Sequence, residues 1–313
     1  MGNVRVGAWV VDTPGDRVIN FALVAMHHVR HGRAPNPVLG FRLLRSGCMQ
    51  TSKTDKMIAE KNGAIGWITF NNPERRNAVS MAMWEALGDI VADYAADAAI
   101  RVVVLKGAGD KAFVSGADIS EFEEKRSSPE TTKAYHEVSA WSNEALRHLG
   151  KPTIAMIRGF CVGGGVSVAL GCDLRIASDD SRFGVPAAKL GLGYEYDGVK
   201  RLVDVVGPAF AKEIFYTARL FSAEEARVMG LVNRVLPAAE LETFVRETAA
   251  SIAANAPLTV GSIKTLVGEA VKDETARNMS LCQQVVDRCF ASEDYVEGRT
   301  AFMQKRKPVF KGR

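Results

Sequence analysis

Residues 151–178 read KPTIAMIRGFCVGGGVSVALGCDLRIAS, and this stretch decides the fold. Its first seven residues, KPTIAMI (151–157), form an almost unbroken apolar run of strand length, as a strand covered on both faces requires. Gly159 follows. Gly163, Gly164 and Gly165 then open a short apolar segment that reads as a helix ending near Gly171, and DLRIA (173–177) returns as a strand.

Upstream, GAIGWITF (63–70) is a strand rich in β-branched and aromatic residues, closed by the turn chemistry of Asn71, Asn72 and Pro73. Ser80 caps an amphipathic helix running to about Asp97, with Met83, Ala86, Leu87, Ile90 and Val91 on one face. RVVVL (101–105) is another buried strand, residues 113–119 are a short strand and turn, and 131–149 are helical. The strand–strand–helix rhythm implies a layered α/β core. Beyond Gly198 the chain is mostly helical. Ser222 and Glu225 form a capping box for a helix reaching Met229, and helices are expected over 239–254, 258–271 and 274–290. Such a tail packs on its own core or on a neighbouring subunit.

Composition is that of an ordinary globular protein: 313 residues, 47% hydrophobic, 24% charged, net charge +4. No run approaches the roughly 20 apolar residues a spanning helix needs, so no membrane partner is expected. The five cysteines, Cys48, Cys161, Cys172, Cys282 and Cys289, are odd in number and widely spaced. They indicate neither a disulfide framework nor a zinc site, and a cytoplasmic setting fits. Residues 1–52 show no clear period and carry Arg5, Arg17, Arg30, Arg33, Arg42 and Arg45 against Asp12 and Asp16. They read as a disordered extension or an over-long start, with Met49 or Met57 as the true initiator; a transit peptide is the alternative. His27, His28 and His31 have near-helical spacing but no carboxylate or cysteine beside them, so no metal is expected. The last ten residues hold Lys305, Arg306, Lys307, Lys311 and Arg313 and no acid. A tail of this kind suits a nucleic acid, a membrane or a phosphorylated small ligand, or is a solvated helix end. Its only nearby aromatics are Phe302 and Phe310, so no nucleic-acid partner is expected.

Two segments carry the chemistry: SGADI (115–119) and GFCVGGG (159–165). Each sets glycine after a strand, where no side chain blocks a close ligand. In the second a helix begins at once, so its free N–H groups and dipole favour negative charge. Two such amides from separate loops make an oxyanion hole, and losing one donor typically costs about 3–4 kcal/mol of transition-state stabilisation. A thioester carbonyl turning into an enolate is the charge such a hole serves. Three glycines alone also allow close helix–strand packing. A phosphate loop does not fit, since no GK[ST] follows and the spacing is not GxGxxG.

With FNNPERRNAV (70–79), KAFVSGADI (111–119), FGVPAAKLGL (183–192) and SAEEARVMGLVNRV (222–235), these segments make the sequence resemble the crotonase superfamily, the enoyl-CoA hydratase/isomerase family, from about Gly63 to Arg313. The resemblance implies an α/β fold: a spiral of strand–strand–helix repeats over 53–255, and a helical C-terminal region over 256–313 for oligomerisation and CoA contact. It implies that Ala117 and Gly164 supply the oxyanion amides, that backbone near Arg76 and Ala78 holds the adenine portion of CoA, and that Lys305 approaches the CoA phosphates, of its own subunit or of a neighbouring one. It also implies an acyl-CoA thioester partner in fatty-acid metabolism, a homotrimer or homohexamer, and no cofactor beyond the CoA of the substrate.

The sequence departs from the family pattern at two places. Hydratases of the family use two glutamates, and Ser167 and Ala187 stand at those positions. A well-placed acid–base group contributes about 10²–10⁴-fold, so the usual hydratase mechanism is in doubt. Glu195 resembles the acid that 3-enoyl to 2-enoyl isomerases carry in this loop. One carboxylate suffices to take a proton from C2 and return it at C4. Tyr194 and Tyr196 would shield it; the alternative is a loop acid near a helix start. Asp197 reads as a helix N-cap and Asp118 as a structural residue. Phe122, Tyr135 and Trp141 are candidate pocket residues or ordinary helix packing. Three readings stand: an isomerase with Glu195 as proton shuttle, a hydratase using other groups, and a non-catalytic acyl-CoA binding protein.

Overall fold

The computed structural model describes residues 54–118 and 129–313. The segment 1–52, with the three histidines and Cys48, lies outside the described residues, as do Ile119 and Phe122.

The strands divide between two sheets. The larger has β1 (Met57–Asn62), β2 (Ile65–Phe70), β3 (Val102–Gly107), β5 (Thr153–Ile157), β7 (Leu174–Ser178) and β10 (Arg234–Leu236), in the order β1-β2-β3-β5-β7-β10. All neighbours are parallel except β1 and β2. The smaller sheet runs β4 (Ala112–Val114), β6 (Phe160–Val162), β8 (Arg182–Gly184), β9 (Phe221–Ser222), with β9 antiparallel. Three repeats build both sheets at once. In each, a strand enters the large sheet, the next enters the small one, and a helix follows: β3-β4-α2 (Pro129–Arg147), β5-β6-α3 (Gly164–Gly171), β7-β8-α4 (Tyr196–Thr217). This is the expected spiral.

Strand alternation explains the apolar runs. Val103 and Leu105 face an inner core with Ile68, Phe70, Ala155 and Ile157. Val102 and Val104 face the other way, onto Trp67, Ile154 and Met156 and the buried face of α6 (Leu241–Ala254). Both faces are covered, so alternate positions cannot be polar. The inner core also takes α1 (Met81–Ala96), capped by Ser80, whose hydroxyl accepts the Met83 N–H at 3.3 Å. The Ser222–Glu225 capping box of α5 (Ala223–Val228) is present in both directions.

Some expectations need correction. Residues 63–70 are not one strand: Gly63, at φ 59°, and Ala64 form the turn of a hairpin whose other arm is β1, and the strand begins at Ile65. The helix expected over 274–290 is a 3-10 turn (Glu274–Ala276) followed by α8 (Met279–Phe290), after α7 (Pro257–Ala270), and α9 (Glu293–Met303) closes the chain. α4 is two helices joined at Gly207 (φ 75°, ψ 166°), because Pro208 bars the α conformation before it.

Candidate active site

The turn after β4 is stitched to the loop after β2. Ser115 N–H donates to Arg76 O at 3.1 Å, Val79 N–H to Gly116 O at 2.9 Å, and Asp118 N–H to Val79 O at 3.1 Å. Ala117 sits inside this seam, yet its own N–H is not used by it. Across from it, Gly163 (φ 53°) caps α3 and donates to Gly184 O at 2.9 Å, leaving Gly164 at the first helical position. A Cβ at Gly164 would lie 3.8 Å from Ala117 N and 3.6 Å from Trp84 Cζ2. The two turns therefore abut. Among the described residues, neither the Ala117 nor the Gly164 amide has a backbone acceptor outside its own element. Amides on two abutting turns, one of them at a helix N-terminus, are the parts from which an oxyanion hole is built.

Side chains brace both turns. Arg75 Nη1 contacts both carboxylate oxygens of buried Asp118, at 2.8 and 2.9 Å, so this acid pairs with a side chain from the loop after β2. Trp84 Nε1 donates to Tyr135 Oη at 2.8 Å, and that hydroxyl reaches Val79 O at 3.4 Å. Buried Asn77, in the left-handed region at φ 56°, donates from Nδ2 to Ala108 O and Ala112 O. Behind α3, buried Arg175 donates to the carbonyls of Cys172 and Leu231, both at 2.8 Å, and so places a cation at the helix C-terminus. Tyr135 is thus committed to the frame, and Trp141 packs on Gly88 of α1 with 41% of its surface open.

The segment expected to hold adenine lies beside this frame. Arg76 (φ 52°) stacks its guanidinium 5.0 Å above the Phe160 ring and is exposed. The Arg76 and Ala78 amides are used internally, donating to Pro73 O and Arg75 O. Their carbonyls each accept one bond, from Ser115 N–H and Asn72 Nδ2, and keep a second lone pair for a ligand. Arg76, Ala78 and Ala117 are thus brought together. Lys305 is exposed just beyond α9 with φ 50°, and among the described residues no hydrogen bond or ring contact ties it to those turns.

The 191–195 loop departs from expectation. Glu195 is the N-cap residue of α4, with its side chain 79% exposed and 3.7 Å from His136 Nδ1 on α2. Tyr196 is 75% exposed, so the two tyrosines do not shield the acid. Asp197 is not the N-cap: it lies within the first turn of α4, two residues past the cap residue Glu195. Tyr194 turns inward. Its ring meets Phe215 edge-on at 4.8 Å and covers Gly198, where a Cβ would come within 2.7 Å of it. Its hydroxyl is 3.4 Å from Ser167 Oγ on α3, and burial pushes the phenol up from its ordinary value. Ala187 is buried in the inner core. His136 and the Ser167–Tyr194 contact were not singled out as pairs from sequence, because their partners lie far apart in the chain and follow no period.

The remaining features are plain. Among the described residues no three His, Cys, Asp or Glu side chains cluster as a metal site, and no helix is long and apolar enough to cross a membrane. Cys161 and Cys172 are buried free thiols; burial pushes Cys172 up to about 12.

Comparison with known proteins adds a second line of observation. A family model described as enoyl-CoA hydratase/isomerase matches residues 60–313. The short-chain-enoyl-CoA hydratase of Clostridium acetobutylicum is 34% identical over 256 residues, covering 81% of this chain and 96% of that protein. The carnitinyl-CoA dehydratase of Escherichia coli is 34% identical over 257 residues, with 81% and 97% covered. The solved structure of an enoyl-CoA hydratase/carnithine racemase from Magnetospirillum magneticum superposes with a TM-score of 0.80 at 38% identity, covering 83% of this chain and 97% of that one.

Proposed function

The chain belongs to the enoyl-CoA hydratase/isomerase family, and from that premise we propose that it is an acyl-CoA isomerase that moves a double bond through a thioester enolate. The observation that carries this reading is the abutment of the Ala117 and Gly164 turns, 3.8 Å from one amide nitrogen to the other residue's Cβ position. A thioester oxygen placed there accepts two N–H groups that need not reorient as charge develops. With CoA laid along the Arg76–Ala78 carbonyls, the acyl chain passes α3 towards the 191–195 loop. Glu195 takes a proton from C2 of a 3-enoyl thioester. The electron pair spreads over a dienolate whose oxygen rests on the two amides, and the same proton returns at C4 to give the 2-enoyl product. His136, 3.7 Å from the carboxylate, holds Glu195 on the α2 side of the loop.

A hydratase is the second reading, favoured by the names of the relatives. The experiment is turnover of 3-enoyl-CoA and crotonyl-CoA by the wild type and Glu195→Gln. The isomerase reading expects 3-enoyl-CoA turnover to fall by about 10²-fold or more in the variant, with acyl-CoA binding retained. Full isomerisation by Glu195→Gln rejects it. Hydration of crotonyl-CoA that survives the substitution selects the second reading, and binding without turnover of any thioester selects a non-catalytic acyl-CoA binder. The proposal extends to place, a cytoplasmic setting, and to assembly, a homotrimer or homohexamer; the assembly is supported by the exposed apolar residues Ile263, Val267, Phe302 and Met303 on the C-terminal helices.

A further inference from the structure

The outer face of the large sheet is only partly covered by α6. Strand pairing sets Ile58 against Thr69, Thr69 against Lys106, and Lys106 against Met156. These four side chains therefore form one row across β1, β2, β3 and β5. Strand alternation puts the row on the same face as Trp67, Val104 and Ile154 of the outer core. α6 begins at Leu241 and leaves beside the row a groove of about 400 Å³, a volume ordinary for ligand sites. Met156, Leu241 and Glu242 line one side, and Ile58 and Glu60 of the edge strand line the other. The turn after β3, from Gly107 to Gly109, closes the end.

The polar groups in this groove are unevenly used. Thr69 is 5% exposed, yet its hydroxyl has no hydrogen-bond partner among the described residues. A buried hydroxyl left in that condition is destabilising, and valine suits a strand as well as threonine does. Beside it, Lys106 stands with its Nζ 5.3 Å from the Trp67 ring. Arg158 lies two residues beyond Met156, hence on the same side of the sheet. Neither cation forms an ion pair or a side-chain hydrogen bond with a described residue. The two carboxylates are placed differently. Glu242 is taken by Arg246, whose Nε and Nη2 donate to its Oε1 at 2.9 and 2.5 Å. Glu60 is exposed on the edge strand, one row back, opposite Trp67. What remains uncommitted around the buried hydroxyl is an ammonium and a guanidinium, and these can only donate. A negatively charged oxygen satisfies all three groups. Ile58, Met156 and Leu241 offer apolar surface for a hydrocarbon attached to it.

We propose that this groove is a binding site for small oxyanions, and that a carboxylate on a short hydrocarbon chain fits it best. It lies on the outer face of the large sheet, away from the inner core on which Ala117 packs, and it does not depend on the function proposed above. Hexanoate, hexanamide and inorganic phosphate are titrated into the full chain by calorimetry. The wild type is expected to bind hexanoate with a Kd of about 1 mM or below, and hexanamide at least about tenfold more weakly. Thr69→Val keeps the branched shape and removes a hydroxyl that no described residue bonds. It should melt no lower than the wild type and bind hexanoate about tenfold more weakly. Lys106→Met keeps a long stem beside Trp67 and should weaken binding by a similar factor. Phosphate binding as tightly as hexanoate, with the same dependence on Thr69 and Lys106, would support the site with free phosphate as its occupant. Absence of binding by either anion overturns the proposal, as does affinity unchanged in either variant. Hexanoate displaced by saturating butyryl-CoA would place it at the Ala117 and Gly164 turns, and overturns the proposal too.

Discussion

Gly164 and Gly165 are adjacent glycines with different reasons to lack a side chain. A Cβ at Gly165 would sit 2.1 Å from the Val114 carbonyl oxygen, so α3 can pack on β4 only with glycine there. A Cβ at Gly164 would meet nothing nearer than 3.6 Å; on the proposed function it would instead intrude on the place of the thioester oxygen. Gly165→Ala should therefore destabilise the fold by about 3 kcal/mol. Gly164→Ala should melt like the wild type and lose about a hundredfold or more in kcat/KM. Thermal melts set beside kinetics separate the two, and the reverse pattern would mean that the open place is not a binding site. The sequence reading could not tell these glycines apart, since GGG serves packing and amide exposure alike. Glu195 shows a related limit. Tyrosines on both sides suggested shielding, but neighbouring residues diverge where a loop becomes a helix, and only Tyr194 turns inward. Arg75 with Asp118, and Ser167 with Tyr194, join residues 43 and 27 positions apart. No local pattern reports such pairs.

At the scale of elements, the position of the 191–195 loop depends on how α4 meets α2. Arg201 on α4 donates to the Glu144 carboxylate on α2, and His148 bonds the same carboxylate at 2.8 Å. The His148 bond and the two nearby guanidiniums outweigh partial burial and hold Glu144 down at about 2, against an ordinary 4.5. A carboxylate depressed in the folded state contributes stability above 4.5 and loses it as pH falls towards 2. Glu144 is 39% exposed, so solvent screening reduces the contribution to about 1 kcal/mol. Glu144→Gln should be less stable than the wild type in urea unfolding at about pH 6, and the gap should narrow as pH falls below 4.5 and close only near about pH 2. A gap constant over that range would mean that the interhelix contact carries no charge-dependent stability. The elements themselves were largely legible. Buried strands such as β3 and β5 announce themselves as apolar runs because both faces are covered. β1 went unread because MIAEKN is an edge strand exposed over five of its six residues, with no apolar pattern to find.

Across the whole molecule, three strand–strand–helix repeats bring the ends of β4 and β6 together, and with them the two glycine turns. A spiral achieves this without long loops, because consecutive repeats stack in register. The C-terminal helices are a different case. Phe302 and Met303 are 83% and 80% exposed at the end of α9, and Ile263 and Val267 are more than half exposed on α7. Apolar side chains at this density on one region suit a subunit interface. Light scattering on the purified chain should give the mass of a trimer or hexamer, and Phe302→Glu with Met303→Glu should lower it. A monomer at micromolar concentration would leave Lys305 without the neighbouring subunit through which it was expected to reach CoA phosphates.

In the proposed function two backbone amides polarise one thioester carbonyl, and isotope-edited infrared spectroscopy observes that carbonyl directly. Butyryl-CoA labelled with carbon-13 at the thioester carbon is bound to the wild type and to Gly164→Ala, and its C=O stretch is compared with that of the free thioester in water. Two convergent donors should move the band to lower frequency in the wild type, with most of the shift gone in the variant. A bound thioester whose carbonyl absorbs at its solution frequency would contradict the account.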